Sequence, residues 1–178
     1  MIIIVGASAS GKTELAKILY KKYGYKKCIT TTTRSKRVNE TDGLDYHFIS
    51  KSEFTKLLER DQFVEFSTYN KHLYGLQKTD VLDNGIVILD PNGANYLTTK
   101  LNNKAYVVFV ASDEGLRRKR MISRGDEPKK IEERLIHDSN FYDTKQFIKI
   151  NLMIENQEEP LEILARTIHK SYQDYIRD

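Results

Sequence analysis

The sequence predicts an α/β fold in which a parallel sheet is flanked by helices. Four short apolar runs alternate with segments whose apolar residues recur at helical spacing, which is typical of parallel sheets joined by right-handed crossovers. At 178 residues, of which 39% are hydrophobic, the chain is long and apolar enough for one complete core. The predicted strands cover residues 2–5, 86–90, 105–110 and about 152–154.

Composition narrows the kinds of partner. The net charge of +4 fits either ordinary solubility or an anionic ligand such as a nucleotide. The basic residues form no long stripe interleaved with aromatic residues, so we do not expect nucleic acid as a partner. Cys28 is the only cysteine, which favours a reducing, cytoplasmic setting. No apolar run approaches the roughly 20 residues of a membrane span, and we expect neither a membrane partner nor a secretion signal.

The first thirteen residues carry the strongest motif. Ile2–Val5 is apolar and β-branched, as expected of a strand buried on both faces of a sheet. Gly6–Thr13 then reads G-x-x-x-x-G-K-T, the phosphate-binding loop (P-loop), and a helical pattern follows it. A Gly/Ser-rich turn that matches by chance would not need this flanking strand and helix. The predicted phosphate-binding residues are Gly6, Ala7, Ser8, Ala9, Ser10, Gly11, Lys12 and Thr13.

The motif predicts a P-loop core in which the side chains of Lys12 and Thr13 bind phosphate and Mg²⁺. Backbone N–H groups of the loop would surround a polyphosphate. Lys12 would approach its β- and γ-phosphates, and the hydroxyl of Thr13 would bind Mg²⁺.

Two arginines follow the next predicted strand. Residues 26–33 include four consecutive threonines, which favour an extended strand whose hydroxyls face either a ligand or solvent. The following loop places Arg34 and Arg37 three residues apart, so their guanidinium groups could bind a second phosphate. The capping-box spacing of Ser50 and Glu53 predicts the start of a helix.

Two carboxylates lie within or directly after apolar runs. Glu65 interrupts one run and is either exposed on the alternate face of a strand or turned toward a ligand. Asp90 ends another run, at the edge of the sheet where ligands bind in α/β proteins. It could orient the water shell of Mg²⁺, cap the next helix, or do both.

The last third of the chain contains a charge cluster and a final helix. We expect Arg117–Arg120 to form mostly a solvated helix face. Pro160 is expected at the first position of the last helix, where its missing N–H is tolerated. The apolar residues that follow recur on one face, which indicates core packing.

Several blocks of the sequence together resemble the guanylate kinase family. The resemblance covers nearly the whole chain and implies an enzyme that transfers a phosphoryl group from ATP to GMP with Mg²⁺. We expect a monomer or homodimer with one domain, 1–178. Besides the P-loop, the blocks are Thr30–Arg34 with Arg37, Asn39–Ser50, Phe63–Glu65 and Tyr74–Gly75. The implied division is a core (1–29, 85–112 and 138–178), a GMP-binding lobe (30–84) and a helical lid (113–137).

The resemblance also implies roles for individual residues. The residues implied to bind GMP, with the arginines and tyrosines on its phosphate, are Thr30, Arg34, Arg37, Tyr46, Glu65 and Tyr74. The residues implied in catalysis are Lys12, Arg34, Arg37, Arg124 and Arg134, the last two being lid residues that close over ATP. Asn156 is implied near adenine, and Thr13 with Asp90 (through water) is expected to hold Mg²⁺.

Glu65 would read the guanine base. Guanine presents N1–H and N2–H₂ side by side, so one carboxylate accepts from both, whereas adenine presents an acceptor there. A buried polar group left unpaired discriminates by factors of up to about 10⁴–10⁵. Two positions depart from the family pattern: Leu76 stands where a serine or threonine usually helps to read the base, and Asn92 where a second acid usually contacts guanine. GMP, dGMP and a less usual acceptor therefore stay open.

Two other functions compete with the kinase. Guanylate kinase-like modules also serve as non-catalytic interaction domains, but such a module would not need an intact Gly11-Lys12-Thr13. A related kinase that acts on a phosphorylated sugar would have no guanine edge for Glu65 to read. The sequence therefore favours phosphorylation of a guanine nucleotide.

Overall fold

The computed structural model describes residues 1–177, without the side chain of Asn103. Strands and helices alternate along the chain. The strands are β1 (Ile2–Val5), β2 (Lys26–Lys27), β3 (Thr30–Thr32), β4 (His47–Phe48), β5 (Phe63–Tyr69), β6 (His72–Gln77), β7 (Gly85–Ile88), β8 (Tyr106–Ala111) and β9 (Leu152–Glu155). The α-helices are α1 (Lys12–Tyr23), α2 (Lys51–Glu59), α3 (Pro91–Leu101), α4 (Glu114–Ser123), α5 (Pro128–Phe141) and α6 (Leu161–Tyr175). Among the described residues, no helix combines the length and apolar content that crossing a membrane requires.

The central sheet is parallel and has the strand order β2-β7-β1-β8-β9. β1 lies in the middle, where Ile3 pairs with Val87 of β7 on one side and Val107 of β8 on the other. All four residues of β1 are completely buried. The sequence-based prediction of a parallel sheet with a doubly buried first strand is therefore confirmed.

The two faces of the central sheet are covered by different helices. Ile2 and Ile4 pack with Leu15 of α1 and Ile168 of α6 on one face. Ile3 and Val5 belong to a second cluster on the other face, which includes Leu97 of α3. Alternation of side chains along a strand explains how one short strand contributes to both layers.

A second, smaller sheet has the order β4-β3-β6-β5. β3 runs parallel to β4 and antiparallel to β6, so that Thr31 faces His47 on one side and Gly75 on the other. Leu76 of β6 is fully buried and belongs to the same apolar cluster as Leu97 of α3. The small sheet is thus joined to the core through α3.

Several helices begin or end at the residues that local sequence signals indicate. Ser50 and Glu53 form the predicted capping box at the start of α2, and Gly24 ends α1 with a positive φ of 70°. Asp90 caps α3, because its Oδ1 atom accepts a hydrogen bond from the Gly93 amide at 3.0 Å. β7 consequently ends at Ile88 and is shorter than the predicted strand 86–90.

Two other predictions of local structure were wrong. The predicted strand 26–33 is divided between the two sheets: Lys26–Lys27 pairs with β7 in the central sheet, and Thr30–Thr32 pairs with β4 and β6 in the small one. Pro160 occupies the N-cap position, and α6 begins at Leu161.

Candidate active site

A cavity of about 160 Å³ opens where the carboxyl ends of β1 and β7 meet the small sheet. Residues far apart in the sequence converge on it, and most of the predicted site residues contribute to its wall. The predicted residues that line the cavity are Ser8, Ala9, Lys12, Thr13, Thr30, Arg34, Arg37, Tyr46, Tyr74, Asp90 and Arg124. The lining residues that the sequence did not single out are Ser67, Tyr69, Ile88, Leu89 and Tyr142.

The P-loop wraps tightly around the end of β1. Gly11 has a φ of 98°, in the region that favours glycine, and a Cβ there would overlap the side-chain amide of Asn156. Lys12 is curled back onto the loop: its Nζ atom donates to the carbonyl oxygens of Gly6 at 2.6 Å and Ala7 at 2.7 Å. Burial lowers the pKa of Lys12 to about 8, although the nearby carboxylate of Asp138 opposes the shift.

The two arginines of the loop after β3 share one carboxylate. Nη2 of Arg34 donates to both oxygens of Glu40, at 2.8 and 3.0 Å. The backbone amide of Arg37 donates to Oε2 of Glu40 at 2.9 Å, and its guanidinium lies 3.6 Å from Oε1. Although burial acts in the opposite direction, the hydrogen bond from Arg34 lowers the pKa of Glu40. Glu40 thus fixes both arginines, and its place three residues after Arg37 was the signal that could have identified it.

The predicted lid arginines also share a carboxylate. Arg124 lies 2.5 Å and Arg134 2.6 Å from the same oxygen of Asp126. Arg124 lines the cavity, whereas the wall, as far as residues 1–177 define it, does not include Arg134. Burial first, and then the positive charges of Arg34 and Arg124, lower the pKa of Arg37. The cavity mouth therefore concentrates positive charge.

Hydroxyl groups of the small sheet face the same space. Thr30 is only 5% exposed and lines the cavity, so this threonine faces inward and not toward solvent. The rings of Tyr46 and Tyr74 meet edge to face with centroids 6.3 Å apart. Burial raises the pKa of Tyr46 to about 12, which keeps its phenol protonated and able to donate. The guanidinium of Arg34 lies 5.4 Å from the centroid of the Tyr46 ring.

Glu65 is buried, so the alternative of an exposed strand residue is wrong. Its side chain is 1% exposed and Oε1 accepts from the Leu76 amide at 2.9 Å, but Oε2 has no hydrogen-bond partner within residues 1–177. Burial, helped by the negative charge of Asp90, raises the pKa of Glu65 to about 8. Ser67, two residues on, donates to Asp90 and lines the cavity with it. The described cavity wall does not include Glu65.

Asp90 caps α3 as predicted, and its predicted role at Mg²⁺ stays a prediction. One oxygen caps α3 and the other accepts from Ser67, while the residue also lines the cavity. Thr13 lines the same cavity. Hydroxyl and carboxylate oxygens are the ligands that Mg²⁺ prefers, usually in small number and completed by phosphate and water. The chemistry of Thr13 and Asp90 therefore fits a magnesium ion, which these two residues would hold beside a bound polyphosphate.

Asn156 packs against the P-loop, and its implied place near adenine stays a prediction. Its side chain is 3% exposed, and Nδ2 donates to the Ser10 carbonyl at 2.7 Å. Within residues 1–177, the amide is not part of the cavity wall. This residue supports the P-loop from behind, because the loop is packed directly against it.

The charge cluster of α4 is less solvated than expected. Arg117 is buried, and its Nη1 atom lies 3.6 Å from Asp138. Arg120 donates to the carbonyl of Ala9 at 3.2 Å and to that of Gln157 at 2.9 Å. Two of the four basic residues thus hold the P-loop and α5 in place. Asp138 itself, on α5, accepts from the Ser8 amide at 2.7 Å, a contact that no local pattern indicated.

The chain is similar to known proteins over nearly its whole length. The family model described as Guanylate kinase matches residues 1–171. The chain is 30% identical over 179 residues to a guanylate kinase of Helicobacter pylori strain 26695, covering 94% of this chain and 87% of that protein. It is also 30% identical to a guanylate kinase of Thermotoga maritima, covering 94% and 85%. A crystal structure of guanylate kinase from Anaplasma phagocytophilum superposes with a TM-score of 0.70 at 18% identity, covering 98% of this chain and 85% of that one.

Proposed function

This chain belongs to the guanylate kinase family, and we propose that it transfers the γ-phosphoryl group of ATP to the phosphate of GMP, giving ADP and GDP. One observation carries this proposal. Lys12 of the P-loop and the pair Arg34 and Arg37 line the same cavity. Two separate phosphate-binding sets that face one space suit a reaction between two phosphorylated molecules better than binding of a single one.

The reaction joins two mutually repelling anions. It needs their phosphates held in line and their charge neutralised, and it needs little covalent help from the protein. We assign donor binding to Lys12 and the P-loop amides, and acceptor phosphate binding to Arg34, Arg37 and the phenols of Tyr46 and Tyr74. No general base is required, because the attacking phosphate oxygen already carries negative charge.

Arg124 is assigned to the transferring phosphoryl group. It lines the same cavity as both phosphate-binding sets, and its positive charge would stabilise the charge that develops in the transition state. Arg134 is assigned an indirect role, since it shares the carboxylate of Asp126 with Arg124. We propose that residues 113–137 act as a lid and that 30–84 form the acceptor lobe on the core.

Mg²⁺ would be held by Thr13 directly and by Asp90 through water. When bound, the ion neutralises phosphate charge and helps to orient the donor. The protein contributes the Thr13 hydroxyl at the start of α1 and the Asp90 carboxylate at the start of α3. Both residues line the cavity. Asn156 is proposed to act on ATP through Ser10 and the shape of the P-loop, and not through contact with adenine.

Glu65 is the proposed reader of guanine, with Thr30 nearby. The unpartnered Oε2 atom and the pKa of about 8 describe a buried carboxyl group that lacks donors, and guanine N1–H and N2–H₂ would supply two. Ser67 and Asp90 line the cavity whereas its described wall does not include Glu65, so side chains of the wall have to move for the base to reach this carboxylate. Leu76 contributes only its backbone amide to this site.

An acceptor panel tests the proposed function. Purified protein is supplied with Mg²⁺ and ATP and with GMP, dGMP, AMP, UMP or CMP in turn, while ADP release is followed by a coupled assay. We expect turnover with GMP, a weaker or equal response to dGMP, and at least a hundredfold lower kcat/KM for the other three. Absence of transfer to every nucleotide would favour the interaction-module alternative, and equal rates with GMP and AMP would remove Glu65 from base reading.

A further inference from the structure

Asp138 joins three parts of the molecule at one buried point. Its side chain is completely buried on α5, where Oδ2 accepts from the P-loop amide of Ser8 at 2.7 Å. Oδ1 accepts from the phenol of Tyr69 on β5 at 2.6 Å. The same phenol lies 3.0 Å from Oγ of Ser8, which closes a triangle of Asp138, Tyr69 and Ser8. Arg117 of α4 lies 3.6 Å from Oδ2.

A buried carboxylate is stable only when its charge is compensated and its oxygens are hydrogen-bonded. Here the compensation comes from different segments: an amide of the P-loop, a phenol of the small sheet and a guanidinium of α4. His137 also lies 3.5 Å from Oδ1. Movement of the small sheet away from the core would take Tyr69 with it and leave a buried oxygen without its donor.

The phenol of Tyr69 is suited to this link. Burial, together with the negative charge of Asp138, raises its pKa well above the ordinary value, so the group stays protonated and donates. Its ring is packed edge to face against Tyr74 and His137, which fixes where the hydroxyl points. Hydrogen bonds to charged groups are about twice as strong as neutral ones.

The Ser8 end of the link lies next to the lysine of the P-loop. Lys12 is held by the carbonyl oxygens of Gly6 and Ala7, the two residues that immediately precede Ser8. A shift of the Ser8 backbone therefore changes the segment on which Lys12 is seated. The position of the small sheet is thereby transmitted to the group that contacts the donor phosphates.

We propose that Asp138 and Tyr69 are positioning residues that make the shape of the P-loop depend on the small sheet being docked against the core. The inference rests on the proposed function, because the small sheet is the acceptor lobe of that reaction. With the link intact, Lys12 is aligned for transfer while the acceptor lobe is in place. Without it, both nucleotides still bind, but the loop is aligned for a smaller fraction of the time.

Tyr69→Phe tests the link most cleanly, because it removes one hydroxyl and keeps the packed ring. We expect kcat for transfer from ATP to GMP to fall about tenfold, the loss of one hydrogen bond to a charged group. The KM values for both nucleotides should stay within about twofold. Exchange of the Ser8 amide hydrogen, followed by NMR without nucleotides, should become about tenfold faster.

Variants of Asp138 test whether Tyr69 acts through this carboxylate, and a variant of a distant tyrosine serves as the control. Asp138→Ala should lower kcat as Tyr69→Phe does, and adding Tyr69→Phe to it should change kcat by less than twofold. Asp138→Asn should restore most of the rate, because an amide can accept from Ser8 and donate to Tyr69. Tyr106→Phe is the matched control: it removes a buried phenol that bonds to Ser171 at 2.5 Å in the core, and should leave kcat and Ser8 exchange unchanged.

The outcomes separate this inference from the proposed function. Unchanged kcat and unchanged Ser8 exchange in Tyr69→Phe would overturn the link, as would single effects that multiply in the double variant. If Asp138→Ala does not fold, kcat and Ser8 exchange in Tyr69→Phe, compared with Tyr106→Phe, decide the inference without the double variant. Wild-type protein that transfers nothing to GMP would overturn the proposed function, while Ser8 exchange in Tyr69→Phe would still decide whether the link exists.

Discussion

The two sheets of this molecule differ in the kinds of side chain that they bury. Ile3 of the central sheet is fully buried in an apolar cluster with Leu97 and Val107. Thr31 of the small sheet is also fully buried, yet its hydroxyl accepts a hydrogen bond from the side chain of Gln77 at 2.7 Å. The central sheet buries mainly apolar side chains, whereas the small sheet buries hydroxyl groups as well and therefore needs hydrogen bonds to satisfy them. We therefore expect stability to depend mostly on the apolar core, and catalysis on the polar groups of both regions that face the cavity.

Lys12→Ala should give the largest effect and should act on chemistry alone. We expect kcat to fall roughly 10³-fold, by analogy with other cations that contact a transferring phosphoryl group. The free energy of unfolding should stay the same or rise, because a buried, desolvated ammonium is removed. Steady-state kinetics and urea unfolding of the same preparations measure both. Lys17→Ala, which removes an exposed lysine of α1 paired with Glu14, is the control, and a near-normal rate in Lys12→Ala would contradict the assignment.

Leu97→Ala should give the reverse pattern. The side chain is fully buried between α3 and the central sheet, so its truncation leaves a cavity and should lower the free energy of unfolding by about 3 kcal/mol. The kcat of the folded fraction should stay within about twofold, since the residue does not touch the cavity. Chemical unfolding and kinetics below the transition measure the two quantities. A large loss of kcat with little loss of stability would show that this expected division between the apolar core and the cavity is wrong.

Glu65→Gln should change how stability depends on pH. The pKa of Glu65 is about 8 in the folded protein and near 4.5 in the unfolded chain, so the folded state holds the extra proton between these values. The resulting stabilisation is complete below about pH 4.5 and is lost as pH rises through 8. From pH 6 to 9 the wild type should lose roughly 3 kcal/mol relative to the variant.

Urea unfolding at the two pH values measures this difference. Glu162→Gln, a change of an exposed glutamate on α6, is the matched control and should follow the wild type. Parallel pH dependence in wild type and Glu65→Gln would show that Glu65 is ionised in the folded protein. Glu65→Gln should also lower the ratio of kcat/KM for GMP to kcat/KM for AMP.

Arg34→Lys should give the smallest effect, confined to the acceptor side. Lysine keeps the charge, but it has no second nitrogen to donate to the Ser35 carbonyl while the first donates to Glu40, and it lacks the planar group that lies near the Tyr46 ring. We expect the KM for GMP to rise about tenfold, with the free energy of unfolding nearly unchanged. Arg118→Lys, on the exposed face of α4, is the control. An unchanged KM for GMP would place the acceptor phosphate elsewhere.

The fold was predictable where the information is local. The apolar run Ile2–Val5, the spacing of Gly6–Thr13 and the capping box of Ser50 and Glu53 each involve neighbours in sequence, and each appears in the structure. The division of residues 26–33 between two sheets was not predictable, because it depends on which distant strands pair with each half.

The site was predictable only where a motif carries its own geometry. Lys12, Arg34 and Arg37 were identified from spacing, and the structure brings them to one cavity. Asp138 gave no such signal, because a carboxylate within an amphipathic helix is normally expected to face solvent. Its partners Ser8 and Tyr69 are also distant in sequence. Buried polar groups are identified by their partners, which a single sequence does not reveal.

The close approach of α3 to Glu65 limits which residues evolution can place at position 93. Gly93 has an ordinary backbone conformation, but a methyl group on it would lie 2.6 Å from Oε2 of Glu65. An alanine at position 93 therefore requires the Glu65 carboxylate to shift, and replacement of Glu65 by a shorter residue would remove that requirement. Natural relatives that have lost the glutamate are the ones in which a larger residue at this helix position should be found.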